Sequence, residues 1–281
     1  MIPTAFEYQR ATSVDDAIAK LKAGGKILAG GHSLVPLMKL RLSEPGVLID
    51  IARIPGLAGV SEKDGTIEIG AATVHHDVAT SQLLRDKSPF VAEAASDIGD
   101  QQVRNRGTLG GSLAHADPAA DYPAVMLALE ADILVKGPKG PRSVKASAFF
   151  QGLFTVDLAG DEIITGVRFA PAKTAAYAKL HQRASHFAIV GVAAALDVKG
   201  GTIQSARLGL TGASTYATRL SKVEAALAGK PLSKATIEAA SKDAGAEIAD
   251  INSDIHASEA YRRAMIPVFT RRALEAAMAR A

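Results

Sequence analysis

Two glycine-paired loops, Ala29-Gly30-Gly31-His32-Ser33 and Thr108-Leu109-Gly110-Gly111-Ser112, constrain this chain more than any other feature. Each adjoins short apolar segments and ends in a hydroxyl residue. Adjacent glycines permit φ > 0 and let the backbone approach a ligand closely. Consecutive peptide N–H groups in such a bend form a concave anion site. Two such loops, far apart in sequence, suit a ligand with two phosphates gripped from opposite sides. The alternative for each is a purely structural turn. Familiar nucleotide motifs are absent. Gly25 and Gly30 have P-loop spacing, but Gly31 stands where a lysine is required, and no G-x-G-x-x-G occurs.

The surrounding pattern is mixed. Ser13 and Asp16 have N-cap and N3 spacing, and Val14, Ala17, Ile18 and Leu21 share a helical face that Gly24-Gly25 ends. Lys26 to Ala29 reads as a strand running into the first loop, and Val47 to Ile51 as a second short strand that closes a small βα unit. From Gly59 a second segment begins. Thr66 to Gly70 alternates like a strand, Thr73 is placed to cap a helix through Ser81, and Pro89 to Ile98 reads as another helix. Pro123 to Leu129 reads as a buried helix. Ile133 to Lys136 and Ile163 to Phe169 read as strands, with Pro138, Gly140 and Pro141 marking a turn between them. Pro171 and Lys173 suggest a linker. Beyond it, Phe187 to Val198 and Thr202 to Leu210 form a hairpin about Lys199-Gly200-Gly201, followed by helices over 218–228, 233–248 and 256–280. This divides the chain into 1–58, 59–173 and 174–281, and length alone favours two or three domains.

Composition narrows the function. With 48% hydrophobic and 22% charged residues, the chain is ordinary for a globular protein. A net charge of +3 over 281 residues does not argue for nucleic acid. There is no cysteine, so this polypeptide cannot ligate an iron–sulfur cluster through thiolates. No run approaches the roughly 18 apolar residues of a membrane span, and no secretory pattern opens the sequence, so a cytoplasmic protein is expected.

The runs LAGGHSLVPLMKLRL (28–42) and VRNRGTLGGSLAHADPAADYPAV (103–125) resemble the two FAD-binding signatures of the molybdenum hydroxylase medium subunits, the flavoproteins of carbon monoxide dehydrogenase and xanthine-dehydrogenase-like enzymes. The resemblance extends over essentially the whole chain. It implies an α+β protein: a vanillyl-alcohol-oxidase/PCMH-type FAD-binding fold in two subdomains, then a C-terminal α+β domain with an antiparallel sheet and helices. It implies non-covalent FAD, electrons received from [2Fe-2S] clusters on a small partner subunit, a large molybdopterin subunit, and a dimer of heterotrimers. The implied cofactor residues are Lys26, Ala29, Gly30, Gly31, His32, Ser33, Leu34, Ile98, Thr108, Gly110, Gly111, Ser112, Asp121, Ile163, Lys179 and Phe187. Ser112 departs from the family, where Asn or Asp is usual, and Phe187 stands where Tyr is common. No protein residue is expected to be catalytic, because the flavin carries the redox chemistry. A stand-alone flavin oxidoreductase on the same fold, or a non-enzymatic nucleotide-binding assembly subunit, are the alternatives.

The remaining candidates have plainer explanations. Asp121 can serve as a helix N-cap before Pro123. Reading His115, Asp117 and Asp121 as metal ligands is disfavoured by the phosphate motifs flanking them. Adjacent His75 and His76 cannot face one site from a helix, so surface or capping roles are expected. Arg104 and Arg106 suit phosphate or partner steering, or equally a solvated loop. The arginines 262, 263, 271, 272 and 280 suit either a solvated or a docking face.

Overall fold

The computed structural model describes residues 2–281. The chain first makes a small parallel sheet in which Val47–Asp50 lies between Glu7–Arg10 and Lys26–Leu28. Leu48 and Ile49 of the central strand are buried, as expected where helices cover a parallel sheet. The helix Val14–Lys22 crosses between the strands. Ser13 accepts from the Asp16 amide, while the Asp16 carboxylate accepts from Thr12 N. The reciprocal pair of a capping box is therefore present, shifted by one residue. Glu7–Arg10 carries no apolar alternation and is mostly exposed, which is why its sequence did not announce a strand.

The second sheet is antiparallel, with the order Val60–Lys63, Thr66–Gly70, Ile163–Phe169, Asp132–Gly137, Gly140–Lys145. Ile67 and Ile69 alternate into the core. The turn at Pro138 and Gly140 belongs to the hairpin Asp132–Gly137/Gly140–Lys145 and does not lead into the Ile163 strand. Thr73 is not the cap predicted for the next helix. Its hydroxyl instead binds Gly59 N and O, and Val74 precedes the helix His75–Thr80.

The third sheet, Ala175–His181, Ala188–Lys199, Thr202–Thr211 and Thr218–Arg219, is antiparallel. The Lys199–Thr202 pair closes its hairpin over Gly200 and Gly201, both at positive φ. The last helix, Glu259–Met278, packs on this sheet. Between Ser233 and Ile248 only Lys234–Ser241 is helical.

The helix Asp121–Leu129 bridges the second and third parts of the chain. All nine residues are buried, as befits a helix apolar almost all round. It packs on the helix Pro89–Ser96 and on the strands Ala188–Lys199 and Thr202–Thr211. Gly209 allows this approach, since a Cβ there would stand 2.8 Å from Ala124 Cα.

Candidate functional site

The two glycine loops meet. A Cβ on Gly30 would collide with the Arg106 carbonyl oxygen and lie 2.7 Å from Gly107 Cα, so only glycine permits the contact. A Cβ on Gly111 would lie 3.9 Å from that of Ala29. Residues separated by about eighty positions thus come together, with Ala29, Gly30, Gly31 and Leu34 half-buried and His32 and Ser33 exposed.

The loops differ in what they offer. Among the described residues, the N–H groups of Gly30, Gly31, His32, Ser33 and Leu34 have no acceptor. The first bond of the following turn is Val35 N to Gly31 O, 2.9 Å. Gly31 is at φ +78°, which re-aims the chain between strand and helix. Five consecutive amides without a protein acceptor are the donors an anion site requires.

The second loop has used its amides internally. Leu109 N donates to Thr73 O (3.0 Å), Gly110 N to Ala71 O (2.8 Å), and Ser112 N to Thr108 O (3.0 Å). Gly111 N donates to the Thr108 hydroxyl at 3.1 Å. The expectation of two matching amide cradles therefore fails. Thr108 is the N-cap of the helix Leu109–His115, and Gly110 and Gly111 are helical, not left-handed. Their value is size: a Cβ on Gly110 would stand 2.5 Å from that of Ala71. The second loop is thus a closely packed wall presenting Gly111 and the half-buried Ser112, whose hydroxyl has no protein partner among the described residues.

His75 supports this wall from behind, which corrects the expected surface role; His76 is the exposed member of the pair. His75 N donates to Gly107 O at 2.9 Å. Its ring is buried against Tyr122, 5.3 Å between centroids. Burial lowers its pKa to about 4, so the imidazole is neutral near pH 7.

Asp121 neither caps its helix, whose N-cap is Ala120, nor faces open space. One carboxylate oxygen accepts from the Tyr177 hydroxyl and the other from Lys179 Nζ at 3.0 Å. Burial pushes the Asp121 carboxyl up to about 6, opposed by the Lys179 charge. The Lys179 side chain is only 1% exposed and also donates to Asp97 O at 2.8 Å. Asp97 in turn accepts from His181 at 2.6 Å. Tyr177, Asp97 and His181 escaped the sequence reading. The signal was available: Tyr177, Lys179 and His181 alternate along one strand and so share a face.

The other predicted residues scatter. Ile98 is half-buried beside Asp97, and Arg104 donates to its carbonyl at 3.1 Å. Ile163 is 3% exposed and lies in the core. Lys26 is exposed. Phe187 is 47% exposed, in a loop whose next residue, Ala188, donates to Ala119 O at 3.2 Å. Asp121 faces Lys179, Asp117 accepts from Ala119 N, and the His115 ring lies 5.1 Å from that of Phe154. The arginines of the last helix are largely engaged within the chain. Arg262 binds Ile189 O, Gly212 O and Asp254; Arg263 binds Glu259; Arg280 binds Glu93; Arg272 lies over Phe269.

Two family models match the chain: the FAD binding domain in molybdopterin dehydrogenase over residues 4–172, and the CO dehydrogenase flavoprotein C-terminal domain over 175–277. The carbon monoxide dehydrogenase medium chain of Hydrogenophaga pseudoflava is 41% identical, covering 100% of this chain and 99% of that protein. The glyceraldehyde dehydrogenase medium chain of Sulfolobus acidocaldarius is 36% identical, covering 98% and 99%. The solved Hydrogenophaga pseudoflava carbon monoxide dehydrogenase, in a form lacking the Mo-pyranopterin moiety, superposes with a TM-score of 0.96 at 42% identity over 100% of both chains. Quinoline 2-oxidoreductase from Pseudomonas putida 86 superposes with 0.92 at 32% identity, over 99% of each chain. No helix among the described residues is long and apolar enough to cross a membrane. The chain belongs to the FAD-binding medium subunits of the molybdenum hydroxylase family.

Proposed function

We propose that this chain holds FAD in the cleft between its glycine loops and passes electrons from a small [2Fe-2S] subunit to an external acceptor. Substrate chemistry then belongs to a large molybdopterin subunit, in a dimer of heterotrimers in the cytoplasm. The observation that carries the reading is the row of five unpaired amides, Gly30 to Leu34, facing a glycine-walled second loop. A diphosphate satisfies those amides without a bulky cationic side chain in the way.

In this reading residues 1–58 and 59–173 are the two cofactor-binding subdomains and 174–281 the third domain. Gly30, Gly31, His32, Ser33 and Leu34 bind the diphosphate from one flank. Thr108, Gly111 and Ser112 close the other, with Ala29 and Gly110 fixing the spacing. Ser112 offers a rotatable hydroxyl in place of an amide or carboxylate, and a bridging water spans the extra distance. Lys26 adds positive charge at the mouth. Half-buried Ile98 contributes apolar surface, Ile163 backs it from the core, the buried Lys179 ammonium held by Asp121 adds positive charge beneath, and Phe187 supplies an aromatic face. FAD, when bound, supplies the one- and two-electron redox chemistry. The absence of cysteine places any iron–sulfur cluster on another polypeptide.

Expressed alone, the chain should take up one FAD per polypeptide and show no turnover of the assembled enzyme's reducing substrate. Co-expressed with a cysteine-bearing subunit and a very large subunit, it should copurify with both, and its flavin should be reduced by that substrate. Turnover by the isolated chain would instead favour a stand-alone oxidoreductase, and a colourless chain that takes up ADP but not FAD would sink the proposal.

A further inference from the structure

Phe187 sits on the loop 182–187, which joins the strands Ala175–His181 and Ala188–Lys199. The loop is organised from within. The Gln182 side chain accepts from Ala184 N at 2.8 Å and from the Ser185 hydroxyl at 2.8 Å, and Gln182 N donates to Phe187 O at 2.8 Å. His186 is left-handed, at φ +62°, a conformation that non-glycine residues rarely adopt without external support.

That support comes from across the domain boundary. Asp97, just past the helix Pro89–Ser96, accepts from His181 Nε2 at 2.6 Å. The His181 ring packs edge-on against His186, 5.7 Å between centroids. The same Asp97 accepts from the buried Lys179 ammonium, but through its backbone carbonyl, at 2.8 Å. One residue thus holds the buried lysine with its main chain and the loop-bearing histidine with its carboxylate, whose other oxygen lies 3.9 Å from Lys179 Nζ.

We propose that Asp97 and His181 are positioning residues that pin the 182–187 loop and so set how far Phe187 covers the cofactor cleft. The assignment of that cleft rests on the function proposed above; the pin itself does not. Asp97 and His181 are 35% and 40% exposed, so their pair is of the weak, partly solvated kind. Its loss should raise the open population of the loop by about two- to fivefold, leaving the fold intact.

Two readouts separate the pin from the cofactor reading. The first is tryptic cleavage after the exposed Arg183 in the full chain without FAD, under conditions where cleavage tracks the open population. Asp97→Asn preserves the backbone carbonyl that holds Lys179 and removes the carboxylate charge, including its long 3.9 Å contact with Lys179 Nζ. Asp97→Asn and His181→Gln should each speed cleavage about two- to fivefold. The double variant should be no faster than either single, and Asp97→Glu should restore much of the protection. The second is iodide quenching of flavin fluorescence in the FAD-loaded chain, which has no tryptophan. Quenching should rise in both variants, and Phe187→Ala should abolish the difference between Asp97→Asn and wild type. Unchanged cleavage in both single variants overturns the pin. Faster cleavage with unchanged quenching overturns its link to Phe187. Failure of the wild-type chain to take up FAD removes the second readout along with the proposed function, and the cleavage result still decides the pin.

Discussion

Gly30 and Arg106 touch backbone to backbone, and a side chain on Gly30 would have to occupy the space of the Arg106 carbonyl. The neighbouring atom that a Cβ would meet, Gly107 Cα at 2.7 Å, is also main chain and cannot rotate away. Gly30→Ala should therefore push the loops apart, lowering stability by about 1–3 kcal/mol as for other overpacked sites. It should also weaken FAD retention. Thermal unfolding and flavin stoichiometry check both. Wild-type values for the variant would mean that the loops are not held at this spacing.

Gly110 and Gly111 should respond differently. Gly110 is packed on Ala71 and its N–H is already bonded, so Gly110→Ala should act on folding. At Gly111 an added Cβ would meet only the rotatable Thr108 hydroxyl, at 2.8 Å, and the Ala29 side chain, at 3.9 Å, and Gly111→Asp would set a carboxylate against the phosphates, repelling them at close range. We expect Gly111→Asp to lose FAD while keeping a folded far-ultraviolet dichroism spectrum. Normal flavin content in Gly111→Asp would remove the second loop from the site.

How much of this was legible depended on what each residue contacts. The loops, the hairpin about Gly200-Gly201 and the buried helix beginning near Pro123 each carry a local signal, since turn chemistry and apolar periodicity are properties of neighbouring residues. The strand Glu7–Arg10 lacks that signal because only one edge of it pairs and its side chains stay wet. The cap open to Asp121 rests on its proximity to Pro123, which is visible in sequence. Its partners Tyr177 and Lys179, more than fifty positions away, are not. His75 was misplaced for the same reason: the Gly107 backbone that buries it comes from a later segment.

Asp121 and Lys179 form a buried ion pair, and removing one member leaves the other charged in an apolar setting. Asp121→Ala should destabilise the chain by about 3–5 kcal/mol. Pairing it with Lys179→Met should recover most of the loss, because no lone charge remains. Urea unfolding of the two single variants and the double gives the coupling directly. Additive losses would contradict the pair.

Two buried groups impose opposite pH dependences. His75 has its pKa lowered from 6.5 to about 4, so the unfolded chain binds the proton more readily and stability is lost as pH falls from 6.5 towards 4. Asp121 is raised from 3.8 to about 6, so the folded chain holds its proton more tightly, and its contribution declines as pH rises from about 4 to 6. Between about pH 4 and 6 the two slopes oppose one another. His75→Gln should expose the Asp121 slope. Relative to wild type, the variant should gain about 3 kcal/mol between pH 6.5 and 4. Parallel stability curves would show that His75 is not buried in its neutral form.

Amide hydrogen exchange with and without FAD reads the diphosphate site most directly. Addition of FAD should slow exchange at Gly30 through Leu34, whose N–H groups have no acceptor in the chain, and leave Leu109, Gly110 and Ser112, already bonded internally, nearly unchanged. Protection confined to other segments, with the 30–34 amides exchanging as before, would contradict the account.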